Sequence, residues 1–223
     1  MATMIPPGAT GAPAGLLLDA VGTLIGLRRS VGHTYAALAG QHGLMVEPAA
    51  IDRVFPGVLR AAPPLAFPGL EGQELLAAER QWWGQRIEDT FRSTSEENSE
   101  LELPSQLAQE LFDRFAEADL WQVYPDVIAP LNRWRGADLR LAVVSNFDQR
   151  LHGLLQALGL AELLELVVVS SAAGAAKPSA RPFELALDGL GLSAGQAWHV
   201  GDSPEDVAGA RAAGIVCLLI RRP

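Results

Sequence analysis

The chain of 223 residues carries 26 acidic against 17 basic residues, a formal charge of -9; this argues against a protein that grips a polyphosphate backbone, although a small anion needs only a local cluster of donors. Nearly half of the residues, 49 %, are hydrophobic, which supports a packed core and excludes global disorder, and the length suits one large domain or a core domain carrying an insert. The single cysteine, Cys217 in the run IVCLLI, excludes an intrachain disulfide and a cysteine-based zinc site.

In chain order, residues 1–14 read as a flexible leader rich in Pro, Gly and Ala, with neither the basic nor the apolar stretch of a secretory signal. Then comes LLLDA at Leu16 to Ala20, an apolar run without alternation, as a strand covered on both faces requires. From Leu27 to Leu120 the pattern is helical, with SVGHTYAALAGQHGL, AAIDRVFPGVLRAA, QELLAAERQWWGQRIEDTFRS and LPSQLAQELFDRFAEA as its segments. The polar run from Arg92 to Glu100 is expected as a loop, with Ser93 to Ser95 and Asn98 as turn or cap formers.

Four more apolar runs follow: LRLAVVS at Leu139 to Ser145, LELVVVS at Leu164 to Ser170, AWHV at Ala197 to Val200, and Ile215 to Ile220. Amphipathic segments beginning at Asp148, near Ala180 and at Pro204 separate them. The first is expected to end at Gly159, the second to carry Phe183, Leu187 and Leu190 on one stripe, and the third to open on Pro204, Glu205 and Asp206. Alternating strand and helix predicts an α/β fold, a Rossmann-like doubly wound parallel sheet of residues 15–26 and 121–223, interrupted by an inserted all-helical cap of residues 27–120. No apolar run has the length of a membrane helix, and the expected location is the cytoplasm, with neither a nucleic acid nor a membrane as partner.

In an open parallel sheet, ligands bind beyond the C-terminal ends of the strands. Just past the apolar runs stand Asp19, the pair Ser145 and Asn146, Lys177, and Asp202 followed by Asp206. Converging carboxylates are costly unless a cation neutralises them, and an all-oxygen set suits Mg²⁺. A lysine and a strand-end hydroxyl would hold the remaining oxygens of a phosphate, and a lone carboxylate facing an electrophile can attack it covalently. The residues therefore point to Mg²⁺-assisted group transfer at an aspartate. His199 inside AWHV, His33, Tyr35, Trp82 and Trp83 are read as packing residues, and Ser145 with Asn146 could also cap the following helix.

LLLDAVGTLI, VVSNFD, AAKPSARPFELAL and HVGDSPEDVAGARAAGI resemble the four ordered motifs of the haloacid dehalogenase-like superfamily, and the helical insert resembles the C1 cap of its subfamily I (type IA). The resemblance implies a Mg²⁺-dependent hydrolase with Asp19 as nucleophile. It also implies Asp19, Asp202, the Val21 carbonyl and Asp206 at the metal, Thr23, Ser145, Asn146 and Lys177 at the substrate's phosphate, and Ser145 and Lys177 as catalytic partners of Asp19. A mobile cap would exclude water and choose the substrate. Val21 stands where the family's phosphatases carry a second aspartate that moves the proton; such assistance is worth about 10² to 10⁴ in rate. The expected activity is thus a weakened phosphatase acting on a small phosphorylated metabolite. The alternatives are a catalytically silent relative that binds a phospho-ligand or a partner, and a 2-haloacid dehalogenase. Against the last, GDSPED keeps the metal carboxylate that those enzymes lack.

Overall fold

The computed structural model describes residues 11–94 and 103–222. Ser95 and Asn98, expected as turn or cap formers, and the first ten residues of the expected leader lie outside them. In chain order the strands are β1 (Gly15–Leu18), β2 (Ile25–Leu27), β3 (Trp121–Val123), β4 (Arg140–Ser145), β5 (Leu166–Val169), β6 (Ala197–Gly201) and β7 (Val216–Leu219). The helices are α1 (Val31–Gln41), α2 (Pro48–Ala61), α3 (Gly72–Arg92), α4 (Ser105–Arg114), α5 (Ile128–Gly136), α6 (Arg150–Ala157), α7 (Ser170–Ala173), α8 (Arg181–Leu190) and α9 (Pro204–Ala212). The described parts of Met1–Gly26, Leu65–Glu71 and Gln122–Pro223 form one compact unit, and those of Leu27–Pro64 and Gly72–Trp121 another.

The first unit is built on a parallel sheet in the order β5-β4-β1-β6-β7. Its register places Leu16 beside Leu141 and Trp198, and Leu18 beside Val143 and Val200. All four residues of β1 are buried, so the unbroken apolar run reflects a strand with no solvent face. On one face Phe183, Ala186, Leu187 and Leu190 of α8 pack with Leu17, Ala142, Val144 and Val168, each large side chain contributing about 1.5–3 kcal/mol by burial. This is the stripe its helical spacing predicts. Gly191 ends α8 in the left-handed region, φ 62°, a conformation that costs a residue without Cβ little. Helix α9 packs against β6 and β7.

The second unit is helical. Tyr35, Ala39, Ile51, Ile87, Phe91, Leu107 and Leu111 from α1 to α4 form its core. Tyr35 stacks on Phe91 at 5.7 Å and meets Phe55 and Phe115 edge-on at 5.8 Å, the offset and T-shaped arrangements that aromatic quadrupoles favour. Tyr35 is thus a packing residue, whereas His33 is exposed, its Nδ1 2.8 Å from the Ser30 hydroxyl.

The sequence places residues 65–71 within the expected helical cap, yet Leu65–Glu71 belongs to the sheet unit. Pro63, Pro64 and Pro68 prevent the helix from continuing. The extended chain finds its hydrogen bonds just after β5 instead: Ser170 Oγ donates to the Leu65 carbonyl at 2.7 Å, and the Phe67 N–H to the Ser171 carbonyl at 3.1 Å. Two short strands lie outside the apolar runs of the sequence. β2 and β3, three residues each, pair as a separate two-stranded sheet, too short to show an alternation. The helix α5 went unassigned because Pro130 and two arginines interrupt its apolar spacing.

Candidate active site

Asp19 immediately follows β1, the central strand, and its N–H donates to the Val200 carbonyl of β6 at 2.9 Å. This is where the chain order of the strands reverses, the crevice that ligands use in open α/β sheets. The backbone then folds back on itself. The N–H groups of Leu24 and Ile25 donate to the Ala20 carbonyl at 2.8 and 3.0 Å, and the Gly22 N–H donates to the Ile25 carbonyl at 2.8 Å. Gly22 has φ +88°, and a Cβ there would collide with the Asp202 carboxylate. A side chain at this position would therefore hold the two acidic loops apart.

Lys177 ties the site together. Its Nζ donates to Asp19 Oδ1 at 2.6 Å, to Asp206 Oδ1 at 2.6 Å and to the Val144 carbonyl at 3.1 Å, which uses all three protons of an ammonium. Burial works against its charge, but Asp19 and Asp206 outweigh it and hold the amine above its ordinary 10.5. Burial pushes the Asp19 carboxyl up, Lys177 pulls it back and Asp206 pushes with burial, leaving it raised. Lys177 is also the only lysine in the sequence, a signal of its importance that motif order alone does not use.

Asp206, fully buried, spends both carboxylate oxygens inside the protein. Oδ1 accepts from Lys177 and lies 2.7 Å from His199 Nε2; Oδ2 accepts from the Ser203 hydroxyl at 2.6 Å, the Ser203 N–H at 3.1 Å and the Asp202 N–H at 3.3 Å. Burial raises this carboxyl, but the His199 hydrogen bond and the Lys177 charge together hold it well below the usual carboxylate range. The bonds to Ser203 form a capping box at the start of α9, so the sequence's helix-opening acid and its site acid are the same residue. His199, read as a packing residue, is buried as such, and its Nδ1 lies 2.9 Å from the Leu17 carbonyl. It supports Asp206, a role no spacing rule announces.

Asp19, Asp202 and Asp206 each bring one oxygen within 4.8 Å of the others. For Asp202, burial raises the carboxyl first, and Asp19 and Asp206 add to it. The set of hard oxygens crowded around one lysine fits a small divalent cation. Asp206, expected at the metal, belongs to this cluster and has both oxygens hydrogen-bonded within the protein as well.

The other expected site residues divide. Ser145 is the buried last residue of β4. Val21, 38 % exposed, puts an aliphatic side chain at the surface of the turn. The Thr23 hydroxyl, expected at the phosphate, is buried without a hydrogen-bond partner among the described residues, and no solvent reaches it. Neither Ser145 nor Asn146 caps α6, whose N-cap residue is Gln149. Asn146 turns its amide to the backbone of Lys177.

Residues 14–214 match the haloacid dehalogenase-like hydrolase family. Haloacid dehalogenase-like hydrolase domain-containing protein 3 of Homo sapiens is 37 % identical over 209 residues, 93 % of this chain and 82 % of that one. Among solved structures, HAD phosphatase from Thermococcus onnurineus matches with a TM-score of 0.61 and 23 % identity, over 93 % of this chain and 86 % of its own. L-2-haloacid dehalogenase from Xanthobacter autotrophicus, with chloropropionic acid covalently bound, matches with a TM-score of 0.66 and 19 % identity, over 93 % and 77 %. At these identities the two structures speak for the fold. No helix among the described residues is long and apolar enough to cross a membrane.

Proposed function

Because this chain belongs to the haloacid dehalogenase-like hydrolase family, we propose that it is a phosphatase of small phosphorylated metabolites whose turnover is limited by Val21. The observation that carries this reading is the single ammonium held 2.6 Å from Asp19 at the end of the central strand, with the Asp202 carboxylate alongside.

Asp19 attacks phosphorus, forming an O–P bond to its carboxylate as the bond to the substrate's leaving oxygen breaks. Water then attacks the aspartyl-phosphate and returns Asp19 with free phosphate. Lys177 orients the nucleophilic carboxylate and offsets its charge before attack, and Ser145 lies at the strand end to accept or donate at the phosphate. Asp19 and Asp202, with the backbone at Val21, would hold Mg²⁺, which when bound neutralises charge on the transferring group. Val21 offers no proton to the leaving oxygen and takes none from water, so acyl and aryl phosphates, which leave without help, are the favoured substrates.

The test is phosphate release from a panel of alkyl, aryl and acyl phosphates with Mg²⁺, before and after Val21→Asp. The substitution should raise alkyl-phosphate turnover by about 10² or more. A folded Val21→Asp protein with no gain would overturn the reading. The exposed valine also favours a second reading, a silent binder: no turnover on any phosphate, together with thermal stabilisation by some of them, would select it. Halide released from a 2-chloroacid in EDTA would select a dehalogenase instead.

A further inference from the structure

Resting on the phosphatase reading above, we propose that Asn146 is a positioning residue that acts through Lys177, and not a ligand of the substrate's phosphate. Its side chain makes two hydrogen bonds to one residue 31 positions away. Asn146 Oδ1 accepts from the Lys177 N–H at 2.7 Å, and Asn146 Nδ2 donates to the Lys177 carbonyl at 3.0 Å. The pairing engages the peptide groups on both sides of the Lys177 Cα, much as a neighbouring strand would. Only a primary amide brings an acceptor and a donor side by side in this way. A carboxylate keeps the first bond and turns the second into repulsion, and an alkyl group loses both.

The far end of Lys177 is held from the same strand end. Nζ donates to the carbonyl of Val144, two residues before Asn146 in the sequence. The lysine is therefore gripped at its backbone by position 146 and at its ammonium by position 144, with Ser145 between them. From that frame Nζ reaches Asp19 and Asp206 at 2.6 Å each. A flexible four-carbon stem rising from a loop would otherwise sample many placements of its charge, and a small displacement of a group beside a nucleophile is expensive in rate. On this reading Asn146 fixes the origin of the stem and Asp19 receives the benefit.

The experiment compares wild type, Asn146→Ala and Asn146→Asp by steady-state kinetics on an acyl or aryl phosphate, inhibition by inorganic phosphate, and NMR hydrogen exchange of the Lys177 amide. For Asn146→Ala, Lys177 amide exchange should quicken about tenfold, and kcat should fall about tenfold or more with KM nearly unchanged. The inhibition constant for inorganic phosphate should stay within about twofold of wild type, a change small against the tenfold expected when a ligand's hydrogen bond is lost. Asn146→Asp, which keeps the acceptor, should hold the Lys177 amide near its wild-type exchange rate while still losing kcat. A rise in KM and in the phosphate inhibition constant with Lys177 exchange unaltered would overturn the proposal. If no form of the protein turns over any phosphate, the phosphatase reading fails alone, and the exchange of Lys177 in Asn146→Ala still decides this one. Should Asn146→Ala not fold, the proposal stands or falls on the kcat-against-KM split in Asn146→Asp.

Discussion

The two compact units differ in how they group their charges. In the sheet unit Lys177 and Asp19, each 5 % exposed, share one hydrogen-bonded network with the fully buried His199 and Asp206. In the helical unit the ion pairs lie along helix surfaces: Arg80 with Asp113 at 2.8 Å, and Arg114 with Glu117 and Asp119 at 2.5 and 2.6 Å. Exposed pairs of this kind are screened and contribute little to stability. Buried charges are costly to desolvate and persist where the protein uses them. The difference separates a region that gathers its buried charges around one lysine from one whose ion pairs face water, although the helical unit also buries one carboxylate, Glu79.

The largest effect is expected for Lys177→Met, which leaves Asp19 and Asp206 without their common cation. Removing one partner of a buried pair costs about 3–5 kcal/mol, to be read from the urea midpoint at unchanged slope. Its pH dependence has a definite sign. Burial opposes the Lys177 charge, but Asp19 and Asp206 hold the amine above 10.5. Its contribution is therefore complete below that pH and is lost as pH climbs through the raised value. The Met variant should lack that alkaline loss. Equal stabilities at neutral pH would erase the distinction between the units.

Ser203→Ala should come next, because the hydroxyl accepts from the Asp206 N–H at 3.2 Å and donates to its carboxylate. Losing such a cap costs about 1 kcal/mol, measured the same way. The smallest effect belongs to Asp113→Ala in the helical unit, where the paired side chains are 36 % and 51 % exposed. The change should stay below about 1 kcal/mol and shrink further in high salt. A cost above that of Ser203→Ala would mean that a surface pair in the helical unit matters as much as a bond to the buried network of the sheet unit.

The strands of the sheet were legible because burial on both faces leaves an uninterrupted apolar signature, and the acids were legible because they stand directly after it. Asp19 and Lys177 meet as their places in the strand order suggest. What the sequence could not show is where each polar atom spends its bonds. Asn146 and Thr23 look like phosphate ligands by position, yet one faces a peptide backbone and the other is shut away. Asp206 stands with the other acids by position, and its bonds to His199, Ser203 and Lys177 could not be foreseen from spacing. These choices depend on which side chains reach one another across segments distant in sequence. Leu65–Glu71 joined the sheet unit for the same reason, since its partners Ser170 and Ser171 lie a hundred residues on.

Lys177 being the only lysine of the sequence has a consequence for chemical labelling. Acylating reagents meet no other side-chain amine along the chain, and this one is buried with all three of its protons engaged. An amide-linked acyl group on a side-chain amine therefore records an opening of this network, so the chain carries a built-in clock for how often its own centre comes apart.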